Sequence, residues 1–258
     1  MPKEQDTLRS VLNDLREFFL EEQALFGDTL LSQPPHQPKE TRMPSHKESQ
    51  PEEILLFEKT PPLSATEHWT SAASLPELNI QICECVKCPL GHTRTKFVFG
   101  VGNPNATLLI VGEAPGADED LQGEPFVGRA GQLLNKILEA IQFKREDVYI
   151  CNILKCRPPN NRNPEQEEVN HCIPYLRKQI ELVRPKVILC LGLVAAGHLL
   201  GTKESLTRLR GRVHSYENTP VMVTYHPAAL LRNPNWKRPA WEDVQAVRKL
   251  HDELMTPH

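Results

Sequence analysis

Short apolar runs that alternate with helical stretches constrain the fold of this chain most strongly. From Thr107 onward the runs TLLIVG, VYICNIL, KVILCLG and VMVTYH are separated by segments with helical periodicity, such as GRAGQLLNKILEAI. Strands that lack a polar face are buried on both sides, as in parallel sheets covered by helices. The sequence therefore predicts a three-layer α/β fold, doubly wound around a mostly parallel four-stranded sheet.

The first part of the chain differs from the rest in charge. Residues 1–75 contain 7 Lys and Arg against 13 Asp and Glu, whereas residues 76–258 contain 23 against 20. Apolar residues spaced by three and four predict an amphipathic helix over Thr7 to Phe26, within a segment 1–30. Residues 31–76 are rich in Pro, Glu, Ser and Lys, which predicts a disordered linker. The folded domain is then expected over 77–258, with the acidic arm as a candidate binding segment for an unidentified protein.

Membrane insertion and secretion are not predicted. No stretch reaches the roughly 18 consecutive apolar residues of a membrane span, and the start MPKEQDTLRS lacks the apolar segment of a secretory signal. We therefore expect a cytoplasmic protein that acts as a monomer. The seven cysteines are then expected to bind a metal or to lie in the core rather than to form disulfides.

Four of the cysteines are candidate metal ligands. Cys85 and Cys88 form a CxxC pair, and Cys156 and Cys172 flank the segment RPPNNRNPEQEEVNH. Four thiolates suit either a tetrahedral zinc ion or an iron–sulfur cluster, and their spacing alone does not choose between the two.

The other three cysteines are placed outside the metal shell. Cys151 and Cys190 lie inside apolar strands, where a thiol behaves as a small hydrophobic group. Cys83 could substitute for a ligand because it completes a CxCxxC pattern, but we leave it out of the predicted set.

Three longer motifs resemble the family 4 uracil-DNA glycosylases. They are GEAPGADEDLQGEPFVGRAGQLL at 112–134, CNILKCRPPNNRNP at 151–164 and HPAALLR at 226–232. With the four candidate ligands at the family's spacing, the resemblance extends from about Cys83 to Leu254. It implies the uracil-DNA glycosylase fold, a 4Fe-4S cluster bound by the N-terminal part of the domain, and uracil-containing DNA as substrate. It also implies hydrolysis of the N-glycosidic bond by water, without a covalent lysine intermediate.

The resemblance assigns roles to four side chains. Phe126 is expected to stack on the extruded uracil, and the amide of Asn152 to read its N3–H and O4 groups. His226 is expected to donate a hydrogen bond to the uracil O2, where negative charge grows as the bond breaks. Glu113 is the first candidate for stabilising the sugar cation or orienting the water, and Glu119 is the second.

Small residues in the first motif are expected to bind the base through their backbone. Gly112, Ala114 and Gly116 allow the chain to approach a flat ligand closely. The motif lacks both the GxGxxG spacing and the lysine of a GxxxxGK[ST] loop, so a nucleotide cofactor is not predicted.

Basic residues in two segments are candidates for contact with DNA phosphates. One segment is LTRLRGR, from which Arg210 is selected. The other follows the third motif and contributes Arg232, Lys237 and Arg238, with Leu231 and Arg232 as candidates for insertion into the gap left by a flipped base.

Two other functions remain open at this stage. One is a related enzyme or uracil-binding protein with a different base preference, which would need only a few changes in the motifs. The other is a non-catalytic nucleic-acid-binding module with a structural zinc. Because cleavage of an N-glycosidic bond needs no electron transfer, the metal of the glycosylase is interpreted as a structural staple that fixes the segment RPPNNRNP against the start of the domain.

Overall fold

The computed structural model describes residues 67–256. The amphipathic helix predicted over Thr7 to Phe26 and most of the predicted linker lie outside these residues. None of the helices within 67–256 is both long and apolar enough to cross a bilayer.

A mixed six-stranded sheet forms the middle layer. Its strands are β1 (Val101–Gly102), β2 (Leu108–Gly112), β3 (Tyr149–Asn152), β4 (Val187–Leu191), β5 (His214–Tyr216) and β6 (Thr219–Thr224). Their order is β1-β3-β2-β4-β6-β5. The four central strands are parallel, as predicted, whereas β1 and β5 pair antiparallel at the two edges.

The expected count of four strands is therefore wrong, because it omits both edges. β1 has only two residues, which is too short for any periodic pattern. β5 pairs with β6 across a tight turn in which Glu217 and Asn218 have φ angles of +46° and +68°. Two consecutive left-handed residues are typical of the two-residue hairpin turn.

Nine α-helices and four short 3-10 helices occur in the described part of the chain. The α-helices are α1 (Leu75–Ile82), α2 (Leu90–Thr93), α3 (Ala117–Gln122), α4 (Arg129–Ala140), α5 (Gln166–Val183), α6 (Leu193–Leu200), α7 (Leu206–Leu209), α8 (Pro227–Arg232) and α9 (Lys237–Met255). The 3-10 helices are His68–Ser71, Arg145–Asp147, Pro159–Asn161 and Pro234–Trp236.

Helices cover both faces of the sheet. Alternate residues of β2 point to opposite sides, so Leu109 and Val111 belong to one hydrophobic cluster, and Leu108 and Ile110 to another. The first cluster includes residues of α1, α5 and α6, and the second includes residues of α4 and α9. The three-layer arrangement is thus observed in the structure.

The folded domain begins before residue 77. Trp69, Ala72 and Leu75 are buried in the first cluster. The ring of Trp69 packs edge-on against Tyr175 of α5, with 4.9 Å between ring centroids. The last ten residues of the predicted linker therefore contribute to the core.

Candidate active site

A cavity of about 350 Å³ lies at the carboxyl ends of the parallel strands. Asn152 ends β3, Glu113 follows β2 directly, and His226 comes two residues after β6. These three residues line the cavity together with Phe126 and Arg232. Ligands bind at this edge in doubly wound sheets, and the volume is in the range of small-molecule sites.

Gly112 is the point where the amide of Asn152 and the ring of Phe126 meet. A Cβ at Gly112 would lie 2.3 Å from Asn152 Oδ1 and 2.6 Å from Phe126 Cζ. Gly112 and Asn152 are also direct partners in the β2–β3 register. Only glycine leaves room for both side chains at this position, so the first motif keeps the floor of the cavity open.

The amide of Asn152 is buried with one of its atoms unpaired. Only 2% of the residue is exposed, and Oδ1 has no hydrogen-bond partner within residues 67–256. Since buried polar atoms nearly always have a partner, an unpaired acceptor on the cavity wall indicates that a ligand supplies the donor.

Phe126 adopts an uncommon backbone conformation that turns its ring into the cavity. Its φ angle is +55°, which is unusual for a bulky residue. Close packing beneath the loop accommodates this turn, since a Cβ at Gly131 would lie 1.9 Å from the carbonyl oxygen of Phe126. The ring is 5% exposed and lies 5.5 Å from the ring of His226, with an angle of 31° between the planes.

Glu119 fixes the loop that carries Phe126. Its Oε1 accepts hydrogen bonds from the N–H groups of Val127 at 2.9 Å and Gly128 at 3.0 Å. Its Oε2 accepts from the N–H of Gly116 at 3.1 Å. The carboxylate thus joins the first motif to the Phe126 loop, and all its observed bonds are to backbone groups.

Glu113 differs from Glu119 in its surroundings. Burial raises the pKa of the Glu113 carboxyl above its usual range. Its backbone carbonyl accepts a hydrogen bond from the N–H of Leu154 at 3.0 Å, which ties the loop to the chain after β3. Glu113 is therefore held by its backbone, and the residue lines the cavity together with Ala114 and Gly116.

The imidazole of His226 is neutral at physiological pH. Burial lowers its pKa to about 4, with a further contribution from the nearby charge of Arg232. Its Nδ1 accepts a hydrogen bond from the N–H of Ala228 at 3.2 Å. The ring proton is consequently on Nε2 in this arrangement, which leaves Nε2 as a donor.

The segment 158–163 forms a wall of the cavity that the sequence analysis did not include. Asn161, Arg162 and Asn163 line it. Arg162 donates two hydrogen bonds to the buried carboxylate of Glu168, at 2.9 and 2.6 Å, which fixes this wall to α5. The Asn-rich composition of the segment was the available signal, but the segment was used only as part of the second motif and as the stretch between two cysteines, without a role at the site.

Of the candidate DNA-contacting residues after β6, Arg232 lines the cavity. Leu231 is half-buried against a small cluster formed by Leu133, Leu230 and Ala240, whereas Arg232 is exposed. Lys237 is half-buried at the start of α9. Arg238 is exposed and pairs weakly with Glu242 at 3.5 Å.

Arg210 lies apart from this group because its guanidinium binds inside the domain. It donates to Asp243 Oδ2 at 2.6 Å, to the Tyr225 hydroxyl at 3.1 Å and to the Pro239 carbonyl at 2.6 Å. Its side chain is 13% exposed. The structure thus gives Arg210 a role in joining α9 to the end of β6.

The four candidate metal ligands converge at the junction of the N-terminal helices with α5. Burial raises the pKa of the Cys156 thiol to about 11 and that of the Cys172 thiol to about 12, and neighbouring cysteines contribute to both shifts. Those neighbours are Cys88 and Cys85 for Cys156, and Cys156 and Cys88 for Cys172. The buried Cys151 and Cys190 lie within the strands, as expected.

Hydrogen-bond donors surround the same thiols. Arg94 approaches Cys156 Sγ at 3.4 Å, and the Tyr175 hydroxyl lies 3.2 Å from Cys85 Sγ. As the side chains lie, no three His, Cys, Asp or Glu groups within residues 67–256 have an arrangement that would hold a metal ion. The donor chemistry nevertheless fits a thiolate-ligated centre, because each of the four thiols interacts electrostatically with at least two of the others, and Arg94 and Tyr175 donate to two of the sulfur atoms.

The fold and the cavity define an α/β protein with a small, largely buried binding site at the carboxyl ends of its parallel strands. A family model described as the uracil DNA glycosylase superfamily matches residues 99–245. The type-4 uracil-DNA glycosylase of Archaeoglobus fulgidus is 46% identical over 69% of this chain and 93% of its own length. Those of Sulfurisphaera tokodaii and Saccharolobus solfataricus are each 42% identical, over 69% and 66% of this chain and 84% and 82% of their own lengths.

The chain therefore belongs to the uracil-DNA glycosylase superfamily and, within it, to family 4. The resemblance inferred from the three motifs is thereby confirmed.

Proposed function

We propose that this protein is a monofunctional uracil-DNA glycosylase, which hydrolyses the N-glycosidic bond of deoxyuridine in DNA as the first step of base excision repair. The observation that carries the proposal is the meeting of Phe126, Asn152 and His226 in one cavity. The names of the type-4 relatives support the same reaction. A glycosylase must extrude its base from the stack, and a cavity with a ring, an amide and an imidazole suits an extruded pyrimidine.

Asn152 would distinguish uracil from cytosine. Its unpaired Oδ1 is available to accept the N3–H of uracil, and its Nδ2 would donate to O4. Cytosine has an acceptor at N3 and a donor at the exocyclic position, so binding it would leave buried groups unpaired. Each unsatisfied group costs about 1–3 kcal/mol, which is enough for strong discrimination when two are involved.

His226 would stabilise the departing base as a neutral donor. Because Nδ1 already accepts from Ala228, the Nε2 proton is available for the uracil O2. A neutral donor that is fixed before the reaction stabilises growing negative charge without reorganisation. Phe126, whose ring lies near that of His226, would stack on the base.

Glu113 is our candidate for orienting the water and stabilising the positive charge on the sugar. Glu113 lines the cavity, and burial is the cause of its raised pKa. The three backbone hydrogen bonds of Glu119 support a structural role for that residue instead.

A 4Fe-4S cluster would be held by Cys85, Cys88, Cys156 and Cys172. The four thiol donors and the similarity to type-4 relatives both support this assignment. The cluster would supply structural support, since it would join the segment after β3 to the N-terminal helices and α5. Metal binding requires deprotonated thiols, so the four cysteines would be thiolates in the loaded protein, whereas burial alone favours their neutral form.

The DNA backbone would be contacted by Arg232, Lys237 and Arg238. Leu231 would insert into the gap that the extruded nucleotide leaves in the duplex. Arg232 is supported by its exposure at the edge of the cavity. Arg210 is left out of this set because its guanidinium is already bound to Asp243. We propose a monomer for the active form, since one chain supplies every group named above.

Uracil release from an oligonucleotide tests the proposal. The iron-loaded wild type should excise uracil, and Asn152→Ala and His226→Ala should each lose about 100-fold or more in rate, the usual effect of removing a preorganised donor. Asn105→Ala and His92→Ala replace exposed residues of the same types and should retain full activity. Folded, loaded wild type without activity on any uracil-containing DNA would contradict the proposal.

A further inference from the structure

Lys155 is the one lysine in the described residues that is fully buried, with 0% exposure. It follows β3 by three residues and directly precedes Cys156. None of the steps above uses it. A buried lysine requires hydrogen-bond partners for all its donors and a source of negative charge nearby, so its surroundings indicate what it does.

The ammonium group of Lys155 binds the main chain of Asn152. Its Nζ donates to the Asn152 carbonyl oxygen at 2.9 Å and to Gln179 Oε1 at 2.5 Å. Gln179 is itself fixed, since its Nε2 donates to the Phe99 carbonyl at 2.9 Å and to the Tyr149 hydroxyl at 3.1 Å. Lys155 therefore joins the end of β3 to α5 through fixed partners.

The backbone of Lys155 contacts the thiol centre. Its N–H donates a hydrogen bond to the Cys172 thiol. Its carbonyl accepts from the N–H of Val98 at 2.9 Å. One residue thus bonds to a cysteine of the centre through its backbone and to Asn152 through its side chain.

The charges around Lys155 favour the same connection. Both acceptors of its Nζ are uncharged, and the thiols that interact with it electrostatically are, in order of effect, that of Cys151 in β3 and those of Cys172 and Cys156, two of the proposed ligands. Thiolates in a metal centre would supply the negative charge that a buried ammonium requires.

We propose that Lys155 is a positioning residue that couples the cysteine centre to Asn152, so that an intact centre fixes the amide that reads the base. The inference rests on the proposed function and explains why a hydrolytic enzyme would place a metal centre next to β3. Residues that contact a metal ligand without binding the metal themselves fix the orientation of that ligand.

The test compares Lys155→Met with Lys178→Met in the full-length, iron-loaded protein. Methionine is similar in length to lysine but has neither charge nor N–H donors. Lys178 is a matched control, since it is 6% exposed in the same helix as Gln179 but pairs with Glu181 at 2.8 Å. Three quantities are measured: inhibition of excision by free uracil, affinity for DNA with an abasic analogue, and bleaching of the visible cluster absorption by a chelator.

Lys155→Met should weaken inhibition by uracil about 10-fold or more and accelerate bleaching by a similar factor, as expected for a lost outer-shell contact. Its affinity for abasic DNA should stay within about 2-fold of wild type, because that ligand has no base for Asn152 to bind. General destabilisation of the protein would weaken the binding of uracil and of abasic DNA together. The proposal is overturned if Lys155→Met weakens the binding of uracil and of abasic DNA equally, or if inhibition by uracil is unchanged.

Lys155→Arg provides a second test if the methionine variant does not fold. Arginine keeps the charge, but its longer planar group cannot place a donor where Nζ lies, so a smaller loss in the same direction is expected. A folded, loaded arginine variant with wild-type uracil inhibition overturns the coupling. Inactive wild type would overturn the proposed function and the coupling together, whereas active wild type with unaffected Lys155 variants overturns the coupling alone.

Discussion

The backbone N–H of Ala228 donates a hydrogen bond to Nδ1 of His226 at 3.2 Å, so the imidazole is fixed in one tautomer. This bond uses the lone pair that a protonated ring would lose. Burial lowers the pKa of His226 to about 4, with a further contribution from the nearby charge of Arg232 and a smaller opposing effect of Glu119. The folded protein therefore holds His226 in its neutral form.

The rate of excision should not depend on titration of His226 near neutral pH. Because His226 protonates only near pH 4, the rate attributable to it should not fall through the range around 6.5, where an ordinary histidine titrates. The pH profile of single-turnover excision on a uracil-containing oligonucleotide checks this. An inflection near pH 6.5 that disappears in His226→Gln would show that the ring is charged in the active enzyme.

Stability should depend on pH through the same residue. Between about 6.5 and 4 the unfolded chain binds a proton at His226 that the folded chain does not, so stability increases with pH in this window. The contribution is complete above the unfolded pKa and is lost as the pH falls toward the folded value. Denaturant titrations at several pH values should therefore show a smaller slope of stability against pH for His226→Gln than for wild type.

Glu113 and Glu119, both in the first motif, should respond in opposite ways to substitution by glutamine. Glu113→Gln should lower the excision rate and raise the melting temperature slightly, because burial disfavours the charge that it removes. Glu119→Gln should lower the melting temperature, since one of its oxygens would become an NH2 group facing backbone donors. Melting curves combined with excision rates separate the two, and a stabilised Glu119→Gln would refute its structural role.

The sequence predicted the central sheet and the meeting of its strand ends well because both depend on local signals. Continuously apolar strands indicate a parallel sheet, and the residues after Val111, Cys151 and Tyr225 then meet at one edge. That edge holds Glu113, Asn152 and His226 as expected.

The rest depends on contacts between distant residues, which leave no local pattern. Nothing in LTRLRGR indicates that Arg210 turns inward, since its partner Asp243 lies 33 positions later in α9. Glu119 was ranked for chemistry because its backbone partners at 127 and 128 become visible only when the loop is folded. Trp69 was assigned to a linker because composition averages over a segment, whereas one buried ring is enough to join it to the core.

Gly131 should be intolerant of a side chain. A Cβ there would lie 1.9 Å from the Phe126 carbonyl, which cannot move without displacing the ring. Gly131→Ala should lower the free energy of unfolding by about 1–3 kcal/mol, as overpacking typically does, and should reduce excision more than stability alone explains. Gly197→Ala is a milder control, with its nearest neighbour at 3.3 Å. Wild-type excision by Gly131→Ala would contradict the close packing under the Phe126 loop.

Substitution of Arg210 should affect mainly the stability of the protein, whereas substitution of Arg232 should affect mainly its binding to DNA. Arg210→Met leaves the 4%-exposed carboxylate of Asp243 without its ion-pair partner, which in buried pairs is destabilising by about 3–5 kcal/mol. Arg232→Ala should leave stability nearly unchanged and reduce the salt dependence of DNA affinity by about one phosphate contact. Affinity measured across a range of salt concentrations checks both, and a reduced salt slope in folded Arg210→Met would return that residue to the DNA-contacting set.

Replacement of one proposed ligand should show whether the metal stabilises the domain. Cys156→Ala is expected to lower the iron content and the melting temperature together, because Cys156 connects the segment after β3 to the other three thiols. Cys190→Ala is the matched control: its thiol is also fully buried, but it lies within β4, so iron content should not change and the loss of stability should be only that of a small cavity. A Cys156→Ala protein with full iron content would exclude Cys156 as a ligand. A Cys156→Ala protein that lost iron but melted at the wild-type temperature would show that the metal centre of the wild type does not stabilise the domain.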